Sequence, residues 1–159
     1  MTVSELYLCG EQWREPQTVS LIASSQEALY ELCMVALNCE NTREVMKAGQ
    51  CSLVGDPMET ALIDFARKVS PESRLLERID DLPFDSERKR VTTIHKLKQS
   101  HFVVYSKGAL EQLLPRCKMA QTKSGLRELT DQVQQEFIEA QESMTRRGLR
   151  VIAACYRTI

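Results

Sequence analysis

The stretch FVVYSKGALEQLLPRC, residues 102–117, decides how the chain is read. Its first half is an apolar strand, and after a lysine and a glycine it runs into a short helix from about Ala109. Lys107 therefore puts a long charged stem where a strand hands over to a helix. A strand end is rigid, so a charge there is well placed. Gly108 lets a ligand approach the backbone, and the amides that open a helix favour an anion. On these residues alone a binding role and a structural role are evenly balanced.

Upstream, RLLERIDDLPFDSERKRVTTIHKLKQSHFVVYSKG has β-rich stretches around a polar turn at 85–90 and another near Gln99 and Ser100, the pattern of an antiparallel meander. Before it, GDPMETALIDFARKVS carries helix start signals: Asp56 as N-cap, Pro57 at the first helical position and Glu59 at the third. Ala61, Leu62, Phe65, Ala66 and Val69 give that helix an apolar face. An earlier helix opens at SSQEALYELCMVALNCE, where Ser24 and Glu27 form a capping box and Leu29, Leu32, Cys33 and Ala36 a buried stripe. Val3, Leu6, Tyr7 and Leu8 suggest an extended segment, and TVSLIAS after Pro16 a second.

Downstream come a polar loop around TKSG and a helix from about Thr130 to Arg147, with Val133, Phe137, Ala140 and Met144 on one face. Gly148 is placed to terminate it, and RVIAACYRT reads as a closing strand. With no internal repeat or linker, residues 1–159 read as a single α+β domain.

The 159 residues suffice for a real core, and 21 Lys and Arg against 22 Asp and Glu leave a formal charge of -1. Neither nucleic acid nor a membrane surface is indicated by that balance, and any electrostatic function is local. A hydrophobic fraction of 43% is that of a soluble globular protein. Six cysteines, at 9, 33, 39, 51, 117 and 155, include no C-x-x-C pair and read as reduced thiols of a cytosolic protein. The rival is a zinc site that uses some of them with His95 or His101. The first residues have no basic region and long apolar core, so they are not a signal peptide.

Each local signal has a plain alternative. Phe84, after Pro83 at a hairpin end, suits covering the core as well as binding. DSERKR, with Arg88, Lys89 and Arg90 beside Asp85 and Glu87, reads as a solvated turn of mixed charge. There is no G-x-x-x-x-G-K-[ST], no G-x-G-x-x-G and no H-E-x-x-H.

Taken together and in order, GDPMETAL, LPFDSERKRVTT, YSKGALEQLL and RRGLRVIAACYR resemble the nucleotide-binding domain of P-type cation-transporting ATPases, over nearly the whole chain. The resemblance implies a twisted antiparallel sheet flanked by helices, inserted within the phosphorylation domain of a membrane pump. It implies that ATP binds, with Phe84 stacking on adenine, Lys107 deep in the pocket with Gly108 giving room, and Glu59 contacting the adenosine side. Lys89 and Arg150 match basic positions near the phosphates, Arg150 entering from the closing strand.

Two positions depart from the family pattern: Leu110 stands where proline often follows KGA, and Ser86 where some relatives carry a phosphate-contacting arginine. The His-Pro pair and glycine-rich signature of the heavy-metal subgroup are absent, which favours the calcium, sodium-potassium or proton-pump side, calcium first. The D-K-T-G-T-L-T phosphorylation sequence and the G-D-G-x-N-D magnesium segment are absent as well. The resemblance thus implies a domain excised near Met1, with no ATPase activity alone. It would be a monomer that meets ATP, with Mg2+ in the parent, and the parent's phosphorylation and actuator domains on the cytoplasmic side, without touching the membrane itself. The alternatives are an interaction module of the same fold that binds no nucleotide, and the zinc or thiol protein.

Overall fold

The computed structural model describes residues 1–14, 25–41, 43–98 and 100–159, and of 43–45, 47 and 51–54 the main chain alone. The expected strand TVSLIAS and the Ser24 cap lie outside the described residues. Along the chain come a hairpin of β1 (Leu6–Leu8) and β2 (Glu11–Trp13), helix α1 (Gln26–Asn38), and a hairpin of β3 (Arg43–Lys47) and β4 (Gln50–Val54). Helix α2 (Pro57–Val69) leads into the meander β5 (Glu77–Leu82), β6 (Arg90–Lys96) and β7 (Phe102–Gly108). The short α3 (Leu110–Leu113), a hairpin of β8 (Met119–Thr122) and β9 (Gly125–Glu128), helix α4 (Asp131–Arg146) and β10 (Ala153–Thr158) complete it.

The main sheet has four antiparallel strands in the order β10-β7-β6-β5, so the fold is α+β as expected. Strand alternation explains which side is covered. Val91, Thr93 and His95 of β6 lie opposite Lys107, Tyr105 and Val103 of β7, and all six are buried. This row packs on α1, whose Met34 and Val35, with Cys39 just after its end, share a cluster with Val91, Val103 and Tyr105. The intervening residues Thr92, Ile94, Val104 and Ser106 are only half-buried.

Helix α1 is buried on more than the expected stripe. Residues from Cys33 to Asn38 are all buried, because its other side packs on Ile63, Ala66 and Val69 of α2. Asn38 locks its end: the side-chain amide donates to Met34 O and Arg74 O, at 2.9 and 3.0 Å, and its oxygen accepts from Leu76 N at 2.8 Å. Asp56 caps α2 as expected, accepting from Met58 N at 2.8 Å.

A third cluster, of Leu110, Leu114, Ala120 and Leu129, joins α3 and the β8–β9 hairpin to Val133 and Phe137 of α4. TKSG is the tip of that hairpin and not a free loop. Leu110, in the position where proline would suit a helix start, is buried here. The closing strand begins at Ala153, later than RVIAACYRT suggests. Its partner among the described residues, β7, ends at Gly108 opposite Ala153, so Arg150–Ile152 lie beyond the paired register.

Candidate functional site

The predicted site residues gather at one end of the sheet, where β5 and β7 finish and β6 and β10 begin. Lys107 is the last member of the buried row on β7, 4% exposed. A buried ammonium requires a partner. Its Nζ lies 2.9 Å from Glu59 Oε1, whose side chain is 13% exposed in the first turn of α2. The approach is at ion-pair distance but outside hydrogen-bond geometry, so the ammonium donates no hydrogen bond among the described residues. Glu59 is held from the other side, its Oε2 accepting from Asn41 N at 3.0 Å.

Phe84 is 62% exposed and therefore does not cover the core. Its loop is nevertheless well tied. Asp85 Oδ1 accepts from Glu87 N at 3.0 Å and from Arg88 N at 2.7 Å, and Lys89 N donates to Asp85 O at 2.8 Å. The Arg88 guanidinium pairs with Asp85 Oδ2 and donates to Pro83 O at 2.6 Å. The Arg88 amide, followed by its guanidinium, holds the Asp85 carboxyl below the usual carboxylate range. Arg88 is thereby spent on the loop itself.

This loop docks on the end of β7. Ala109 N donates to Lys89 O at 3.0 Å, and Lys89 adopts a left-handed φ of 47° to present that carbonyl. A Cβ on Gly108 would stand 2.3 Å from Lys89 O and 2.7 Å from Arg90 Cα. The space that the resemblance gives to a ligand at Gly108 is thus filled, on the Cβ side, by main chain. Gly108 lets two backbones meet, which fixes the Phe84 loop relative to Lys107.

The two remaining cations are less engaged. Lys89 Nζ stands 3.8 Å from Glu111 Oε1 of α3, an exposed pair. Arg150 is exposed in the coil before β10, with no ion pair among the described residues. The contacts bring Lys107 to Glu59, and Lys89 O to Ala109 N beside Gly108, while Phe84 follows the end of β5 and Arg150 precedes the start of β10. Asn41, Asp85, Arg88 and Glu111 were not singled out from sequence as site residues. Only Asp85 had a legible signal, an aspartate two and three residues before the amides that it accepts from.

Residues 25–159 match the family model described as P-type ATPase, cytoplasmic domain N. The chain belongs to that family. Among similar proteins, a calcium-transporting ATPase 1 of Lactococcus lactis is 31% identical over 163 aligned residues, which cover 100% of this chain and 18% of that protein. Another calcium-transporting ATPase 1, from Bacillus cereus, is 34% identical over 110 residues, 67% of this chain and 12% of that protein. A plasma membrane-type calcium-transporting ATPase 3 of Oryza sativa is 28% identical over 166 residues, 99% of this chain and 16% of that protein. This domain N chain therefore spans less than a fifth of the length of each of these relatives. Among the described residues no helix is long and apolar enough to cross a membrane, and no three His, Cys, Asp or Glu side chains converge as a metal site would require.

Proposed function

We propose that this domain binds ATP at the Phe84–Lys107 end of the sheet and positions its γ-phosphate for transfer to an aspartate on a neighbouring domain of the parent ATPase. The observation that carries the reading is the exposed Phe84, held on a tied loop that docks beside the buried Lys107–Glu59 pair. An aromatic ring on a fixed loop offers a flat face to a base. Glu59 can accept from the 6-amine of adenine and Lys107 can donate to the ring nitrogen beside it, whereas the same edge of guanine carries a carbonyl oxygen that would face the carboxylate. Lys89, in an exposed pair with Glu111, and Arg150 can turn toward phosphates at the same end, with Mg2+ arriving on the nucleotide.

Phosphoryl transfer relies chiefly on positioning and charge compensation, and this domain supplies the positioning. Residues 1–159 act as one unit, on the cytoplasmic side of a pump for calcium or another cation, and meet its phosphorylation and actuator domains. NMR titration of the chain with ATP, ADP, AMP and GTP tests the site. A dissociation constant on the order of 0.1 to several mM is expected, about -4 to -5.5 kcal/mol. The adenine nucleotides should bind alike and GTP more weakly, with shifts centred on Phe84 and Lys107. Saturation without adenine preference, or no binding at 10-fold higher concentration, would leave an interaction module of the same fold.

A further inference from the structure

We propose that the cavity between α1 and the sheet, toward the end of β7 away from Lys107, is a second binding site, one that takes a free amino acid with a short aliphatic side chain. The cavity measures about 110 Å3 and is walled by α1, the segment before β5, the turn after β6, and strands β7 and β10. It shares no lining residue with the Phe84–Lys107 site. Strand register builds its floor. Val103 and Tyr105 belong to the buried row of β7 that ends in Lys107, and Thr158 and Tyr156 stand opposite them on β10. The second turn of α1 brings Tyr30 and Glu31 to the same cavity, and Arg74 arrives on a segment whose main chain is tied to the end of α1 by the Asn38 amide, 3.0 Å from Arg74 O.

The state of the polar groups marks this cavity as a site. Tyr105 is 3% exposed, yet among the described residues its hydroxyl makes no hydrogen bond, and neither does that of Tyr30. A buried phenol ordinarily has a partner. The half-buried Glu31 carboxylate and the exposed Arg74 guanidinium likewise make no ion pair among the described residues. An acid and a base thus line one cavity without meeting each other. Burial raises the Glu31 carboxyl above its ordinary range, and the charge of Glu27 adds to that, so a cation arriving there is stabilising.

The chemistry of the lining selects the ligand. An ammonium can donate to Glu31 and to the Tyr105 hydroxyl oxygen, and the tyrosine ring faces attract the same charge. A carboxylate can accept two parallel hydrogen bonds from Arg74. Met34, Leu76 and Val103 supply apolar surface for a carbon chain. A cavity of about 110 Å3 is smaller than the roughly 150 Å3 that holds benzene, so it suits a short aliphatic chain and not an aromatic ring. A zwitterion answers both unpaired charges at once, which neither an amine nor an acid can do.

The test is an NMR and thermal-shift titration of the 159-residue chain with L-leucine. Beside it stand 3-methylbutylamine and 4-methylpentanoate, which are leucine without its carboxylate and without its ammonium, and L-phenylalanine for size. Leucine should shift the ring signals of Tyr30 and Tyr105 saturably and raise Tm, and each of the other three should bind at least about 10-fold more weakly. Glu31→Gln and Arg74→Gln should leave the unliganded Tm within about 2 °C and weaken leucine about 10-fold each. Binding of the amine, the acid or phenylalanine as tight as that of leucine, full affinity in either variant, or no saturable shift at about 50 mM leucine would overturn the proposal. The titrations of the unsubstituted chain need no variant to fold.

Discussion

Removing the charge of Glu59 should destabilise the protein more than removing that of Lys107, although the two groups form one ion pair. In Glu59→Gln the Lys107 ammonium stays buried, 4% exposed, with no hydrogen bond and no second carboxylate at ion-pair distance among the described residues. Breaking a fully buried pair in this way costs about 3–5 kcal/mol, and the partial exposure of Glu59 lowers the expectation to about 2–3 kcal/mol. For a chain of this size that is a fall in Tm of roughly 4–12 °C. In Lys107→Met, Glu59 keeps the Asn41 amide and some access to water, so about 1–2 kcal/mol is expected. The double variant leaves neither charge and fills the row with an unbranched apolar stem, so it should lie within about 1 kcal/mol of the parent. Urea unfolding followed by circular dichroism on the four proteins gives the coupling directly. Equal losses in the two single variants, or a double variant whose loss equals their sum, would refute the argument that the pair is a buried charge balance.

The same end of the sheet yields three further expectations. Gly108→Ala should cost about 2–4 kcal/mol by overpacking and by stretching the Ala109 N to Lys89 O bond, and should move the amide signals of residues 84–89; a Tm unchanged within 1 °C would show that the two backbones are not in contact. Phe84→Ala should leave Tm nearly unmoved, since the ring is exposed, yet weaken adenine binding by about 1–3 kcal/mol; isothermal titration showing full affinity would remove the ring from the site. Asp85 has a folded-state pKa below its ordinary 3.8, so its hold on the loop is fully present above that value and is lost as pH falls through the lower folded value. Protection of the Glu87 and Arg88 amides, taken relative to intrinsic exchange at the same pH, should therefore fall only in strong acid, and a fall already at about pH 6 would contradict this.

The meander, the start of α2 and the Gly148 stop were legible because each rests on local rules: strand alternation, an Asp-Pro cap, and a glycine at positive φ. The hairpins β3–β4 and β8–β9 were not. MAQT and GLRE are too short and too polar to alternate, and β8–β9 is stabilised by packing of Ala120 and Leu129 on α3 and α4. At the site, Lys107 stood out through its position between a strand and a helix. Its pairing with Glu59 joins residues far apart in sequence and depends on how α2 meets the sheet, which no local pattern encodes. Gly108 was noticed for the right backbone property, but the group that needs the room is Lys89 O, which only strand register reveals.

Helix α1, with the sheet on one side and α2 on the other, also shapes how the molecule can come apart. Its last two turns cannot loosen toward either neighbour without uncovering both, so α1, α2 and the meander should melt as one cooperative block. The β8–β9 hairpin and α4 are held by a different cluster and can detach as a second block. The boundary between the blocks falls at Gly108–Ala109, immediately after Lys107. A ligand gripping that boundary would raise the protection of both blocks together, and so convert two local openings into a single global one.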